Sequence, residues 1–474
     1  MRTNIIATLG PSSSDRDTLS TMISEHGVRI FRLNFSHANA AQFESTIRMV
    51  RELEGEKGVT LTVLGDLSGP KIRIGKLDHA PLQLSPGDRV YLGLPSFRES
   101  YTDLPYLTLD IPEVLKDIDK GAPVTISDGV PRFLVQEVLQ DHRVLLLQSQ
   151  DSGIVSSSKG ITFPGKTLSL QAFTTKDKQD LHEGLEIGVD AFAQSFVQNR
   201  GDIESIRKEL KEWHRYVPII AKLERASSLD NLDSILELAD GVMVARGDLG
   251  LECSLSALPV IQKRIIRACR RHQKPAVVAT QMLLSMVQNP LPTRAETTDV
   301  ANAIIDGTDC AMLSEETAVG NYPTEATAMI RSIAFHAESY LLQQMEGPFR
   351  PENEKDTANY LAYSACLIAD HAEARAIASH STSGHTASLL SSRRPAQPVY
   401  GLTPKQEVMR LLNFYWGVVP VKSDTSYANH LDRVEHFVET SGLFQEGDRI
   451  VLTSGQPTPG QQARHTNQIK IYYK

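Results

Sequence analysis

The feature that most constrains the fold of this 474-residue chain is a series of eight short apolar runs, most of them separated by helix-like stretches. Short apolar runs bounded by turn residues are typical of parallel strands that are buried on both faces. Eight such strands alternating with helices predict a (β/α)8 barrel of the α/β class. The runs cover residues 5–9, 28–35, 61–67, 191–196, 218–223, 241–245, 276–280 and 310–313.

The series is interrupted once, between the third and fourth runs. Residues 71–170 are rich in β-type segments separated by turns, which predicts a small β domain inserted into a barrel loop, where it could act as a lid. A polar segment at 344–356 indicates a linker, and alternating strands and helices follow it. We therefore predict a catalytic barrel at 1–70 and 171–345, an inserted β lid domain at 71–170, and a separate C-terminal α/β domain at 355–474.

The first predicted helix has a capping signal at each end. Ser13 or Ser14 is expected to cap its N-terminus, because short hydroxyl side chains accept bonds from the first free N–H groups. Gly27 suits the C-terminal end, where a left-handed residue commonly stops a helix.

Composition and charge restrict the class of protein. The net charge is −8, which argues against bulk binding of nucleic acid or anionic membranes. The four cysteines have no zinc or disulfide spacing. The start does not read as a signal peptide, and no apolar run approaches the ~18 residues of a membrane helix. We expect a cytoplasmic enzyme without nucleic-acid or membrane partners.

Charged residues end the second, fifth and sixth runs. Arg32, Asn34 and Ser36 alternate along one strand and so share a face, and Lys222 and Glu224 do the same on another. Asp248 follows the sixth run. The carboxyl ends of barrel strands form the active site of this architecture, so a lysine and two carboxylates there suggest a divalent metal beside an anionic substrate. Taken alone, Arg32 also fits a surface arginine on a loop.

Further polar groups stand at the ends of other runs. Asp66 could hold a cation or could form the turn before Gly69-Pro70. Gly247 and Asp248 offer N–H groups at a predicted helix start, which suits an anion. Thr280 and Ser314 end the seventh and eighth runs, although a helix cap is an alternative role for Ser314.

Nine motifs, in their order along the chain, resemble those of the pyruvate kinase family over essentially the full length. The resemblance implies a barrel, an inserted β-barrel lid domain and a C-terminal α/β domain. It also implies phosphoryl transfer from phosphoenolpyruvate to ADP, giving ATP and pyruvate. The motifs cover residues 8–12, 32–37, 66–75, 221–224, 243–251, 279–282, 292–296, 299–303 and 312–318.

The resemblance also implies roles for single residues. Glu224 and Asp248 would carry Mg²⁺ or Mn²⁺, Arg32 would grip the phosphate, and Lys222 would neutralise the phosphoryl group and the developing enolate. The substrate carboxylate would be held by Gly247, Asp248 and Thr280. A water chain with Thr280 and Ser314 is our interpretation of the proton donor. The nucleotide side would comprise His37, Arg73 and Lys159.

One difference from the sequence motif of the family leads to a prediction about K⁺. Most familiar members need K⁺ and read Asp-Thr-Lys-Gly-Pro-Glu-Ile-Arg-Thr-Gly, whereas this chain has Lys71 in place of the glutamate and Leu67, Ser68 and Ile74 nearby. This combination resembles the K⁺-independent branch. A lysine ammonium is a compact cation that can stand near the place of a monovalent ion. Asn34, Ser36 and Asp66, the K⁺ ligands of the family, are retained. The alternative is a Lys71 merely exposed at a hinge.

The C-terminal domain contains a candidate effector loop. It resembles the sugar-phosphate loop of the family, although a polar loop with a helix cap is the alternative. A second effector segment at 454–460 departs from the usual Gly-x-Arg-Pro form, so the sequence does not specify fructose 1,6-bisphosphate. The resemblance further suggests a homotetramer. The candidate effector residues are Ser381, Thr382, Ser383, Gly384 and Thr386.

Two other classes of protein compete with a phosphotransferase. A barrel lyase or aldolase would use the same metal and an enolate, but it would not need Arg73, Lys159 or the inserted domain. A non-catalytic metabolite sensor would not need Lys222 and its neighbouring carboxylates. Nucleotide-dependent turnover separates the first class from the others.

Overall fold

The computed structural model describes residues 1–77, 80–127, 129–213, 216–352, 355–455 and 466–474. Eight parallel strands form a closed barrel in which each strand pairs with its neighbours in chain order. Each predicted run overlaps one barrel strand, so the predicted fold class is confirmed. The strands are Asn4–Thr8, Ile30–Asn34, Thr62–Leu67, Ala191–Gln194, Ile219–Leu223, Gly241–Ala245, Ala276–Ala279 and Cys310–Leu313.

Helices pack around the barrel and bury their apolar faces against it. Several begin with reciprocal caps: Asn39 accepts from the Gln42 N–H at 3.2 Å, and Gln42 accepts from the Asn39 N–H at 2.9 Å. The longer helices are Arg16–Ser24, Ala40–Lys57, Thr175–Glu186, Arg200–Leu210, Leu258–Arg271, Arg294–Ile305 and Pro323–Gln344; short helical segments are Lys211–Trp213, Ser227–Asp230, Leu232–Leu238, Arg246–Glu252, Leu284–Val287 and Glu315–Ala318.

The cap of the first helix differs from the prediction. Asp15, and not Ser13 or Ser14, accepts the bond from the Thr18 N–H, at 2.9 Å. The Ser14 hydroxyl instead donates to the Gly10 carbonyl at 2.8 Å. Three neighbouring residues have cap chemistry, but the Ser13 hydroxyl accepts from the Gly10 N–H at 3.3 Å, so both serines are engaged with the preceding turn and Asp15 forms the cap.

Two sheets lie between the third and fourth barrel strands, around a separate apolar core. A six-stranded sheet runs in the order Ile161–Thr162, Pro123–Ile126, Arg132–Leu139, Val144–Ser149, Arg89–Gly93 and Tyr106–Thr108. A two-stranded sheet joins Leu82–Leu84 and Gly153–Val155, and short helical segments span Pro95–Ser100 and Pro112–Lys116. The position of the domain boundaries at 70 and 170 stays a prediction.

The C-terminal region is a five-stranded sheet with helices. Four strands are parallel and the last is antiparallel. The sheet order is Val418–Lys422, Val399–Thr403, Ala376–His380, Arg449–Ser454 and Gln468–Tyr473; the helices are Thr357–His371, His385–Ser392, Gln406–Leu412 and His430–Thr440. In the part of the chain that the structure covers, no helix has the length and apolarity needed to cross a membrane.

The C-terminal region closes the amino-terminal end of the barrel. Apolar side chains inside the barrel, such as Ile30 and Leu64, form one continuous core with Phe414. The Cys310 thiol donates to the Phe414 carbonyl at 3.3 Å, and Asn413 donates to Thr62 at 3.0 Å. Because this end is filled with apolar groups, only the carboxyl end of the barrel remains for polar chemistry.

A buried ion pair stabilises the same contact between the C-terminal region and the barrel. Arg410 donates to both carboxylate oxygens of Glu54, at 2.8 Å for the longer bond, and its Nε lies 3.4 Å from Asp190. Burial disfavours the ionised Glu54, but Arg410 outweighs this effect and lowers the pKa of Glu54.

We expect the change Glu54→Gln to lower the free energy of unfolding by about 3 kcal/mol at neutral pH, because the buried Arg410 loses the closer of its two charged partners. The lowered pKa means that Glu54 stabilises the fold above its ordinary titration range, and this contribution is lost as the pH falls below about 4.5. Urea unfolding at several pH values measures both effects.

The matched control is Glu44→Gln on the same helix, where the pair with Arg48 is exposed. No measurable change is expected there. Equal stability of the Glu54 variant and the wild type at neutral pH would contradict the assigned role of this pair.

Candidate active site

A cavity of about 130 Å³ opens at the carboxyl ends of the barrel strands. The inner faces of the strands change from apolar to polar toward this end, as from Ile30 to Arg32 and from Ile220 to Lys222. Polar side chains from distant parts of the sequence therefore meet here. The lining comprises Arg32, Asn34, Ser36, His37, Asp66, Ser68, Lys71, Ser195, Phe196, Lys222, Glu224, Met243, Ala245, Asp248, Thr280 and Met312.

Asp66 stands between two cations at the base of this cavity. Its Oδ2 accepts from Arg32 Nε at 2.6 Å, and its Oδ1 lies 3.1 Å from Lys222 Nζ. Burial disfavours the ionised form, but the charges of Arg32 and Lys222 outweigh this effect and lower the pKa of Asp66. Arg32 is thereby fixed in the cavity wall, where Thr8 accepts a further bond at 3.1 Å.

Lys222 has three oxygen partners. Its Nζ lies 2.8 Å from Glu224 Oε1, 3.1 Å from Asp66 Oδ1 and 2.7 Å from Ser195 Oγ. Burial opposes the charged form of Lys222, but Asp66 and Glu224 outweigh it, so the pKa of Lys222 is raised. The ammonium group is therefore a fixed positive charge at neutral pH.

Glu224 and Asp248 form a pair of neighbouring carboxylates. The second oxygen of Glu224 accepts from the Phe196 N–H at 2.8 Å, which fixes the direction of the side chain. Burial raises the pKa of Glu224, and the negative charge of Asp248 adds to this effect. A divalent cation bound by both carboxylates would offset the cost of burying their charges and the repulsion between them.

The two carboxylates suit an Mg²⁺ or Mn²⁺ ion that also binds water and substrate, and not an ion enclosed entirely by protein ligands. Among the described residues, no group of three or more His, Cys, Asp or Glu side chains is arranged to hold a metal. Mg²⁺ in phosphoryl-transfer enzymes is commonly bound by one or two carboxylates with waters and substrate phosphates. Glu224 and Asp248 match that pattern.

The seventh strand ends in a strained turn that positions Thr280. Thr280 and Gln281 have φ values of +66° and +52°, which is the left-handed region and is uncommon for residues other than glycine. Arg246 stabilises this turn by donating to the Thr280 carbonyl at 3.0 Å and the Gln281 carbonyl at 3.1 Å. Asp299 accepts from Arg246 at 2.6 Å on the other side.

The Thr280 hydroxyl faces the start of the short helix Arg246–Glu252. It accepts from the Gly247 N–H at 2.9 Å, and it donates to the Ala279 carbonyl at 2.6 Å. The hydroxyl and the N–H groups at this helix start thus lie beside Asp248. An anionic oxygen entering this corner would meet donors that are already aligned.

A second cavity of about 170 Å³ adjoins the first. It brings together Arg73 and Lys159 from the inserted region, and Arg73 also donates to the Ser158 carbonyl at 3.0 Å. The two cavities share one wall, formed by Lys71, Phe196, Glu224 and Asp248. The predicted nucleotide residue His37 lines the first cavity and not the second.

The residues predicted for a monovalent cation, or for its lysine substitute, are mostly gathered at one side of the first cavity. Asn34, Ser36, Asp66 and Lys71 line it, and Asn34 accepts from the Ser36 N–H at 3.1 Å. Leu67 is fully buried next to Asp66, and its carbonyl accepts from the Ser195 hydroxyl at 2.6 Å. Lys71 is exposed to solvent.

Ser314 does not line the cavity. Its N–H donates to Glu316 at 2.7 Å, and its buried hydroxyl has no hydrogen-bond partner among the described residues. The carboxylate of Glu316 also accepts from the Leu283 N–H at 3.0 Å. Glu316 therefore ties the end of the eighth strand to the loop after the seventh strand.

The candidate effector residues lie elsewhere in the structure. Ser383 and Gly384 line a separate cavity with Gln273 and Tyr415, where the C-terminal region meets the barrel. Ser381 and Thr382 stand in the same loop, and Ser381 Oγ lies 3.4 Å from Ser383 Oγ. Thr386 is buried, and its hydroxyl accepts from Thr466 at 2.9 Å. The second effector segment falls largely on residues 456–460, outside the described residues.

Sequence reasoning missed three groups that shape the site. Ser195 stands at the end of the fourth run, so the rule that identified Lys222 would have found it. Arg246 lies next to Gly247 in the sequence, but its partners are far along the chain. Arg225 forms a buried pair with Glu252 at 2.6 Å in the wall of the second cavity, and sequence separation conceals that contact.

We expect Asp66→Asn to lower the free energy of unfolding by about 3 kcal/mol, because two buried cations lose the carboxylate between them. Chemical unfolding of both proteins measures the difference. The control Asp151→Asn removes the carboxylate partner of the exposed Arg132 and should leave stability unchanged. An Asp66 variant as stable as the control would refute this account of the cluster.

Comparison with known proteins identifies the family. The model described as pyruvate kinase, barrel domain, matches residues 1–327, and the model described as pyruvate kinase, alpha/beta domain, matches residues 359–472. A pyruvate kinase of Agrobacterium vitis is 39% identical, covering 99% of this chain and 96% of the relative. A pyruvate kinase of Clostridium acetobutylicum is 35% identical, covering 99% of both. "Pyruvate kinase 2" of Synechocystis sp. is 39% identical, covering 96% of this chain and 76% of the relative. The chain therefore belongs to the pyruvate kinase family of phosphotransferases.

Proposed function

We propose that this enzyme transfers the phosphoryl group of phosphoenolpyruvate to ADP, giving ATP and pyruvate. The observation that carries the proposal is the wall of Glu224 and Asp248 between two adjoining cavities. Phosphoenolpyruvate would occupy the first cavity, and the ADP phosphates would occupy the second beside Arg73 and Lys159. Phosphoryl transfer depends mainly on positioning and on cations, and this arrangement supplies both.

The residues of the first cavity would hold the donor substrate. Arg32, oriented by Asp66, would bind the phosphate through its guanidinium fork. The carboxylate would take the N–H groups of Gly247 and Asp248 together with the Thr280 hydroxyl, which would then exchange its present bonds for the ligand. His37 would stand at the edge of the same cavity toward the nucleotide.

Lys222 would stabilise the charge that moves during the reaction. The bond between phosphorus and the enol oxygen breaks, its electron pair stays on that oxygen, and a terminal oxygen of ADP forms the new bond. Lys222 is a buried permanent cation, so it would stabilise the transferring group and the developing enolate without reorganisation. The chain would hold Mg²⁺ or Mn²⁺ with Glu224 and Asp248, and the metal would contribute charge neutralisation.

The enolate carbon must then gain a proton. Thr280 is a weak acid, so we propose that its hydroxyl positions a water that delivers this proton. Ser314 would contribute only indirectly, because its hydroxyl is buried outside the cavity lining. The strained turn held by Arg246 would keep the Thr280 hydroxyl in place.

We propose that Lys71 makes the enzyme independent of K⁺. Lys71 lines the same cavity as Asn34, Ser36 and Asp66, so a fixed ammonium would stand in the region where a monovalent ion would otherwise bind. A lysine in place of a glutamate also removes the negative charge that would attract K⁺.

We further propose a cytoplasmic homotetramer whose C-terminal loop, Ser381 to Thr386, binds a phosphorylated effector. Hydroxyls and N–H groups of this loop precede the helix His385–Ser392, which supports anion binding.

The first test is pyruvate formation from phosphoenolpyruvate and ADP with Mg²⁺ in a K⁺-free buffer. We expect full activity, with no increase when K⁺ is added. Activity that appears only with K⁺ would support the proposed reaction and refute the proposed role of Lys71. No turnover under either condition would instead favour a sensor or an enzyme of another class.

Lys71→Glu is expected to create a dependence on K⁺, because it restores the carboxylate and removes the fixed cation. Initial rates across a K⁺ titration measure this change. Lys76→Glu is the matched control, since it makes the same charge change at an exposed position outside both cavities. A Lys71 variant that is equally active without K⁺ would exclude the proposed role.

Lys222→Gln is expected to lower kcat by about 10²- to 10³-fold with a smaller change in KM, because the lost charge acts mainly in the transition state. Steady-state kinetics measure the effect, and circular dichroism checks the fold. Lys211→Gln, at an exposed position, is the control. A variant in which only KM rises would mean that Lys222 binds the substrate without stabilising the transition state.

A further inference from the structure

A further pocket, of about 390 Å³ and lined by several basic side chains, lies at the junction between the barrel and the C-terminal region. Four segments meet there: the end of the helix Leu258–Arg271, the linker at 349–352, the start of the helix Thr357–His371, and Ser392 and Arg393 at the end of the helix His385–Ser392. The volume is in the range of small-molecule sites, which occur preferentially between domains. The basic lining residues are Arg270, Arg271, His272, Arg350 and Arg393.

Two of these arginines are held by neutral groups. Arg393 is only 4% exposed, and it donates to the Phe349 carbonyl at 3.2 Å and to Asn359 Oδ1 at 3.3 Å. The guanidinium carbon of Arg270 lies 4.0 Å from the centre of the Phe349 ring. Within the described part of the chain, neither Arg270 nor Arg393 forms an ion pair within 4.0 Å.

The nearby carboxylates do not neutralise this pair. Asp356 caps the helix Thr357–His371 by accepting from the Asn359 N–H at 3.1 Å and from its side chain at 2.8 Å. Glu352 is exposed to solvent. The neighbouring Arg394 is already paired with Asp309 at 2.8 Å. Arg271 and His272 lie 3.6 Å and 3.0 Å from Asp233, so the positive charge without an ion-pair partner is that of Arg270 and Arg393. Unpaired charge in such a half-buried setting is costly.

The electrostatics agree with this description. Burial, together with the charges of Arg394 and Arg393, lowers the pKa of Arg270 to about 10. Burial also lowers the pKa of Arg393. An anion in the pocket would reverse both shifts, because it would favour the charged forms.

We propose that this pocket binds a small phosphorylated anion through Arg270 and Arg393. Planar guanidinium forks suit phosphoryl oxygens, and Arg270 is already oriented by its stacking on Phe349. The site is separate from the catalytic cavities and from the Ser381–Thr386 loop, none of whose residues lines it. A ligand there would contact a barrel helix, the linker and the C-terminal region at once, and would hold these parts of the chain together.

Hydrogen exchange on the full-length protein, with pyrophosphate and glycerol 3-phosphate as separate probes, tests the proposal. Either probe is expected to protect the amides at 269–274 and at 355–360, compared with sodium chloride of equal ionic strength. Protection by both probes would mean that a phosphoryl group suffices, and protection by one alone would assign the ligand class to the diphosphate or to the monoester. No protection of these segments by either probe would overturn the proposal.

The variant Arg270→Gln provides the second arm. Protection of these segments should need at least tenfold more of the same probe, because a charge-assisted fork is lost. Arg264→Gln, an equal charge change at an exposed position on the same helix, should behave as the wild type. Unchanged protection in Arg270→Gln would also overturn the proposal. Should that variant misfold, Arg270→Lys replaces it, with a smaller loss expected, because it keeps the charge and removes only the planar fork.

Discussion

The buried carboxylate of Asp66 is the interaction on which the rest of the site depends. It lies on the third barrel strand and contacts cations from the second and fifth strands, Arg32 and Lys222. Lys222 in turn fixes Glu224, and the Phe196 N–H fixes the other oxygen of Glu224. A charge cluster of this kind is costly to bury, and it is stable here because each charge has a partner with an opposite charge. The order of the strands in the barrel thus determines which charged side chains lie next to each other.

The two ends of the barrel have opposite roles. At the amino-terminal end, Phe414 and its neighbours fill the interior, and the Arg410–Glu54 pair fastens the C-terminal region to the barrel. At the carboxyl end, the side chains of the same strands are polar and face a cavity. The apolar end supplies much of the burial that stabilises the barrel, so the polar end can retain costly features such as the left-handed Thr280.

Much of this arrangement could be predicted from the sequence. The apolar runs identified all eight barrel strands, because parallel strands buried on both faces leave a strong local pattern. The position of Arg32, Lys222 and Glu224 at strand ends followed from the same pattern. The rest depends on contacts between distant segments: Arg246 with the Thr280 turn, or Arg393 with the linker at 349–352. Asp15 and not Ser14 caps the first helix, because the Ser14 hydroxyl bonds to the Gly10 carbonyl, a contact that composition does not encode.

The wall shared by the two catalytic cavities has an energetic consequence. Glu224 and Asp248 line both cavities, so each ligand of the proposed reaction would experience the charge that the other brings. If one substrate changes the affinity for the other by some factor, the second changes the affinity for the first by the same factor, because both changes express one coupling free energy. With this arrangement, the affinity measured for either substrate alone would not describe the enzyme during turnover, and each affinity would be defined only at a stated concentration of the other substrate.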